Sequence, residues 1–223
     1  MEYRNECKHF ISYADFLTLR ARLSALMRPD PYAGADGGYL VRSLYFDDLR
    51  DTALMEKRDG VNAREKFRIR YYNDDLSLIH LEKKSKLNGL CAKRTAELTR
   101  DEAARILAGD TAWMAGSRDP LLLEFYTKLS CALLPRAVVV YARIPFVYDA
   151  GNVRVTLDYD IRTGMEVARF LEADGVTAPL AEPVYLLEVK WDAFLPSFIR
   201  DAVQLGARRT DAFSKYAACR IYG

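Results

Sequence analysis

Four cations fall at every second position in Arg64, Lys66, Arg68 and Arg70, within the run REKFRIRYY. Alternation of this kind puts them on one face of a β-strand and leaves Glu65, Phe67, Ile69 and Tyr71 on the other. At spacings of about 7 Å, neighbours repel by roughly 2 kcal/mol each at an effective dielectric of about 20. Open water screens such a row; an enclosed site must supply anions. The same parity recurs along the chain. Glu82 and Lys84 share a face. Tyr141 and Arg143 alternate with Val140 and Ala142, and Glu188 and Lys190 alternate with Leu187 and Val189. Arg154, Thr156, Asp158 and Asp160 alternate with Val153, Val155, Leu157 and Tyr159. Parity alone admits two readings. One is a half-buried sheet whose polar face meets water and is laced with ion pairs. The other is a closed barrel with a charged interior and helices outside, which suits a polyphosphate together with a divalent metal.

Several chemistries are excluded by what is missing. There is no GxxxxGK[ST], GxGxxG or GxSxG run, so a phosphate loop, a dinucleotide fold and a serine-hydrolase elbow are unsupported. His9 and His80 are not spaced as a metal pair. Cys7, Cys91, Cys131 and Cys219 lie far apart with no CxxC, which speaks against a zinc ribbon or a disulfide framework and for a reducing compartment.

The elements that must position these residues are readable. Glu2–Ile11 is a short charged strand. Ser12 with Asp15 forms a capping pair before a helix over 13–27, in which Phe16, Leu19, Leu23 and Leu26 recur at helical spacing. Residues 29–38 form a loop, Tyr39–Phe46 a strand, and Asp51–Arg58 one or two helical turns. Arg64–Tyr72 and Leu76–Lys84 flank Asn73–Asp75 as a hairpin. Cys91–Leu98 is a further strand, Thr99–Ala108 a Thr-capped helix and Pro120–Leu133 a helix opened by proline. Ala137–Tyr148, Val153–Ile161 and Val184–Trp191 are strands, residues 172–183 a loop, and short helices near 196–205 and 211–221 end the chain. Antiparallel strands with helices between and around them define an α+β fold.

Length and composition agree. The chain has 223 residues, half of them hydrophobic, with 33 basic against 31 acidic side chains and a net charge of +2. This fits a single domain over residues 1–223 and excludes compositional disorder and a globally polybasic nucleic-acid binder. The charged N-terminus lacks an apolar signal core, and nowhere do 18 apolar residues run together. The expectation is a cytoplasmic protein without a transmembrane segment or nucleic-acid partner.

Ten short motifs, in order, carry a resemblance. They are Tyr3-Arg4-x-Glu6-x-Lys8, Ser43-Leu44-Tyr45-Phe46-Asp47, Glu56-Lys57-x-Asp59-Gly60, Lys66-Phe67-Arg68-Ile69-Arg70-Tyr71-Tyr72, Leu81-Glu82-Lys83-Lys84, Lys93-Arg94, Tyr141-x-Arg143, Thr156-Leu157-Asp158, Leu187-Glu188-Val189-Lys190 and Phe213-Ser214-Lys215-Tyr216. Together they resemble the VTC domain, the polyphosphate polymerase module of vacuolar transporter chaperone complexes, within the triphosphate tunnel metalloenzymes.

The resemblance implies a closed antiparallel eight-stranded β-barrel tunnel flanked by helices, in which ATP and Mn²⁺ or Mg²⁺ yield polyphosphate and ADP. It implies catalytic roles for Arg68, Arg70, Lys84 and Lys215. Phosphate binding falls to Lys8, Arg64, Lys66, Lys93, Tyr141, Arg143, Lys190 and Ser214, and metal binding to Glu188. Tyr45 and Asp47 read as structural. Related triphosphatases and cyclases begin with ExExK; Arg4 stands at the first Glu position here, which favours the polymerase branch. The inositol-phosphate sensor and membrane helices of the eukaryotic proteins are not expected in this chain. Two rival functions are a triphosphatase acting on inorganic or nucleoside triphosphate in the same tunnel, and a non-enzymatic polyanion-binding module.

Overall fold

The computed structural model describes residues 4–88, 90–205 and 213–222. Its strands are β1 (Asn5–Ile11), β2 (Arg28–Pro29), β3 (Tyr39–Asp47), β4 (Arg64–Tyr72), β5 (Asp75–Leu87), β6 (Leu90–Leu98), β7 (Leu134–Tyr148), β8 (Val153–Gly164), β9 (Thr177–Pro179) and β10 (Tyr185–Trp191). Its helices are α1 (Tyr13–Leu26), α2 (Thr52–Arg58), α3 (Arg100–Leu107), α4 (Pro120–Cys131), α5 (Ser197–Ala202) and α6 (Lys215–Tyr222). Residues 2–3 of the first expected strand and 211–212 of the last expected helix lie outside the described residues. The short β2 and β9 were not expected; β9 lies inside the expected loop 172–183.

All strands join one antiparallel sheet. Its main path runs β1-β10-β8-β7-β3-β4-β5-β6, with β2 added to β7 and β9 to β8. The α+β class and eight-stranded path agree with expectation, but the barrel is not closed. The edge strands β1 and β6 share no ladder among the described residues. They meet at one bridge, where the Arg4 N–H donates to the Cys91 carbonyl at 3.1 Å. The reason is stagger: closure requires edge strands to run side by side over several residues, whereas β1 meets β6 just before its first residue. The result is an open, curled half-barrel.

Local chemistry explains the elements. Ser12 caps α1 by accepting from the Asp15 N–H at 3.1 Å while the Asp15 carboxylate accepts from the Ser12 N–H at 3.0 Å. Thr99 and Glu102 make the same reciprocal box at α3. The β4–β5 hairpin turns at Asn73 and Asp74, with φ of 53° and 55°, a left-handed conformation that short polar side chains tolerate.

The convex face of the sheet is mainly apolar and is covered on both wings. Phe67, Ile69, Tyr71, Leu81 and Ala96 pack with Phe125 and Leu121 of α4 and with Ile106 of α3. On the other wing Val155, Leu157, Leu187 and Val189 pack with Phe16, Leu19 and Leu23 of α1 and Ile199 of α5. With the outer face sealed, the charged alternate residues can only face the concavity. There α6 packs against β7 and β8, and Tyr216 is buried with Val41, Val139, Tyr141, Ile161 and Leu186.

One parity expectation fails. Asp160, expected on the charged face, has φ of 47° and sits in a bulge where the β7–β8 register shifts. The extra residue turns Asp160 outward to solvent and brings Ile161 onto the inner side.

Candidate functional site

The concavity encloses a cavity of about 790 Å³ lined by fourteen Lys and Arg side chains and three carboxylates, Glu6, Glu82 and Glu188. Every residue proposed from sequence for the site lies on its wall: Lys8, Arg64, Lys66, Arg68, Arg70, Lys84, Lys93, Tyr141, Arg143, Glu188, Lys190, Ser214 and Lys215. They come from β1, β4, β5, β6, β7, β10 and the start of α6, so the site exists only when the sheet curls.

Three carboxylate-centred groups organise the cations. Glu82, 2% exposed, accepts from Arg68 at 2.6 Å and from Lys93 at 3.0 Å, with Arg70 at 3.9 Å. Burial opposes its charge, yet Arg68, Arg70 and Lys93 outweigh burial and hold its carboxyl well below the usual range. Glu6 pairs with Lys8 at 2.6 Å, Lys84 at 2.9 Å and Lys190 at 3.6 Å. Burial and the nearby Glu188 push Glu6 up, but these lysines bring it down to about 2. Glu188 contacts Lys190 at 2.7 Å and Arg143 at 3.6 Å, and is likewise held low against burial.

Beneath this layer lies Asp158, fully buried. It takes a bidentate pair from Arg143 at 2.6 and 2.8 Å and a bond from Lys215 at 2.6 Å. The pairing fixes the two guanidinium nitrogens involved and orients the cation toward the cavity. Arg70 is steadied by Ser43 Oγ at 2.9 Å and the Tyr141 hydroxyl at 3.3 Å, both acceptors. Lys215 Nζ also lies 4.6 Å over the Tyr141 ring. Ser214 lines the cavity and also caps α6 by accepting from the Ala217 N–H at 3.3 Å.

One end of the cavity differs. Lys66 sits over the Tyr216 ring at 4.9 Å; burial first, then Lys57 and Arg64, lower it to about 8 against the pull of Tyr45 and Asp47. Lys86, Lys57 and Arg154 also line the wall and were not proposed from sequence. Lys86 was in reach of the parity argument, two residues beyond Lys84. Asp158 was visible as a strand carboxylate, but nothing in its spacing marked it as the buried anchor of two cations. Arg4 does not face a metal-binding partner; it pairs with Asp192 at 2.6 Å.

A curled antiparallel half-barrel with a polycationic interior and covered outer faces is the architecture of the triphosphate tunnel proteins. The family model for the VTC domain matches residues 3–221, and the chain belongs to that family. Two solved structures share the fold. A Bacillus halodurans protein named as a candidate adenylate cyclase is similar with a TM-score of 0.53 and 18% identity, over 85% of this chain and 80% of that one. The PH1012 protein of Pyrococcus horikoshii OT3 gives 0.54 and 13% identity, over 96% and 98%. A search among curated proteins gives no match. No helix among the described residues is long and apolar enough to cross a membrane.

Proposed function

We propose that the protein is a cytoplasmic, metal-dependent polyphosphate polymerase that transfers the γ-phosphate of ATP to a growing inorganic polyphosphate chain and releases ADP. The observation that carries this reading is the imbalance of the cavity wall, fourteen cations against three carboxylates. A linear phosphate polymer supplies repeated negative charge at a spacing such a wall can follow. Membership of the VTC family favours polymer synthesis over hydrolysis.

In this reaction an ionised terminal phosphate oxygen of the chain attacks the γ-phosphorus in line. The bond from that phosphorus to the β–γ bridging oxygen breaks, and ADP departs with the electron pair. No general base is needed, since the attacking oxygen carries no proton. Positioning and charge stabilisation supply the catalysis. Arg68, Arg70 and Arg143 grip phosphate oxygens through their planar forks, with Lys8, Lys84, Lys93, Lys190 and Lys215 as point charges.

The donor set fits a divalent ion. Glu6 and Glu188 lie on adjacent strands facing the same cavity, and no group of three or more His, Cys, Asp or Glu suited to a metal occurs among the described residues. Mg²⁺ and Mn²⁺ are held by one or two carboxylates with substrate phosphates completing the shell. Glu188, aided by Glu6, is the proposed holder. The ion would neutralise and polarise phosphoryl oxygens.

The test is incubation of pure protein with ATP and Mn²⁺, followed by gel separation of the products. Polyphosphate ladders with matching ADP are expected. Phosphate or diphosphate without polymer would replace this reading with a triphosphatase, and unchanged ATP with a polyanion-binding module.

A further inference from the structure

Of the Ser-Leu-Tyr-Phe-Asp run on β3 only Ser43, which steadies Arg70, has a part in the scheme above, yet the run places one more polar group on the cavity wall. Tyr45 is buried, with 9% exposure, and lines the cavity. Its ring is clamped: it stacks on Tyr216 with centroids 5.2 Å apart and planes at 30°. Tyr216 in turn donates its hydroxyl hydrogen to Asp47 at 2.6 Å. Asp47 itself is held by the N–H groups of Ala53 and Leu54 at the start of α2, at 2.8 and 3.0 Å. Tyr45 therefore presents its hydroxyl from a fixed position.

That hydroxyl accepts a bond from Arg68 Nη1 at 2.9 Å. Its own hydrogen meets no acceptor among the described residues. The groups facing it are Arg68, Arg70 and Lys66 of β4 and Lys215 and Tyr216 of α6. Behind these cations the Tyr141 hydroxyl of β7 accepts from Arg70, and Glu82 of β5 has its oxygens engaged by Arg68 and Lys93. A rigid donor without an acceptor, surrounded by cations, marks the place of an anionic oxygen.

We propose that Tyr45 is a further substrate ligand, donating its phenolic hydrogen to a phosphate oxygen held by Arg68, Arg70 and Lys215. The proposal rests on the cavity being a polyphosphate site, but not on whether polymer is made or cleaved there. It has a signature that a purely structural tyrosine lacks. In the free protein burial disfavours the phenolate, but Arg68, Arg70, the Arg68 hydrogen bond and Lys215 outweigh burial and bring its pKa down to about 8. A bound phosphate neutralises those cations and uses the phenolic hydrogen. Binding then raises the pKa, and triphosphate added above that pH drives proton uptake by the phenol.

The experiment follows tyrosinate absorbance of the whole protein as a function of pH, with and without inorganic triphosphate, beside Tyr45→Phe. Expected are a phenolate appearing near pH 8, its suppression by triphosphate, and its loss in Tyr45→Phe. Calorimetry should show triphosphate affinity reduced about tenfold to a hundredfold in the variant, the range for a hydrogen bond to a charged group. The wild-type titration needs no variant, so a misfolded Tyr45→Phe leaves the proposal testable. A phenolate that persists with saturating triphosphate overturns it. So does wild-type affinity in Tyr45→Phe; if Arg70→Ala then loses binding, the polyphosphate reading stands while this one falls. A wild-type protein that binds no triphosphate overturns both.

Discussion

Strands β4, β5 and β6 carry charges on both faces, and the two sets behave differently. On the convex side Lys83 pairs with Glu65 at 2.5 Å and with Glu124, Arg94 pairs with Glu124 at 2.9 Å, and Lys128 of α4 pairs with Glu65 at 2.6 Å. Three cations there are met by two carboxylates. On the concave side the same strands present Arg64, Lys66, Arg68, Arg70, Lys84, Lys86 and Lys93 around the single carboxylate Glu82. The outer set is close to balanced, every cation in it has a carboxylate partner, and it pins α4 to the sheet. The inner set is left short of anions, which costs stability in the free protein and becomes attraction when a polyanion arrives. Charge on a strand thus means little until the balance on its own face is counted.

The largest expected break in this contrast comes from the inner face. Arg70→Ala removes a guanidinium that is buried and held by Ser43 and Tyr141, and should lower triphosphate affinity and turnover together. Glu188→Gln should separate them. With the carboxylate gone the cations face the anion unopposed, so binding measured in chelator persists or tightens, while Mn²⁺-dependent ADP release falls by orders of magnitude. Turnover left intact in Glu188→Gln would make Glu188 an ion-pair partner and move the metal to Glu6 or Glu82.

Next in size is the response of the fold to ligand. Triphosphate should raise the melting temperature strongly and monophosphate weakly, by mass action on a crowded cationic wall, and added salt should erode the gain. Equal shifts for the two anions at matched ionic strength would remove the case for a site shaped around several phosphates.

These tests rest on residues that the sequence made legible to different degrees. The cationic row of β4 was legible because strand parity is strict and its apolar partners Phe67, Ile69 and Tyr71 demanded a core, which α4 supplies through Phe125 stacked on Phe67. Helices α1 and α3 were legible because their capping boxes are local. What parity could not reach was anything set by a break in period or by distant contact. The bulge at Asp160 reverses the rule within two residues of Asp158. The strands β2 and β9 span two and three residues, too few to show alternation. Closure failed for a related reason: whether β1 and β6 form a ladder depends on the accumulated twist and stagger of eight strands, which no local run encodes. Tyr45 reads as structural in the sequence because its neighbours in space, Arg68, Tyr216 and Lys215, lie 23 or more positions away.

A smaller effect concerns acid. Glu6 has a carboxyl pKa of about 2 in the folded protein against an ordinary value of 4.5. Because the folded value is depressed, its contribution to stability is present above about 4.5 and is lost as pH falls toward 2. Urea midpoints should therefore drop through this window, and Glu6→Gln should flatten that part of the profile. A wild-type midpoint unchanged across the window would mean that the Glu6 lysine cluster is not held in solution.

The smallest effect is expected on the outer face, where it probes how far charge acts through the sheet. Lys128 and Glu65 are 46% and 35% exposed, and pairs this open to solvent contribute about 0–1 kcal/mol. Lys128→Ala should shift the urea midpoint little, since Lys83 still pairs with Glu65 and Glu124. It should leave triphosphate affinity unchanged at physiological salt, because α4 lies across the sheet from the cavity and charges beyond a Debye length of about 8 Å are screened. Calorimetry of Lys128→Ala beside Arg70→Ala at two salt concentrations decides the point. If Lys128→Ala loses affinity at low salt alone, the whole cationic surface steers the anion and the wall holds it. If it loses as much as Arg70→Ala at both concentrations, the two faces are not independent, and counting charge face by face is the wrong way to read this sheet.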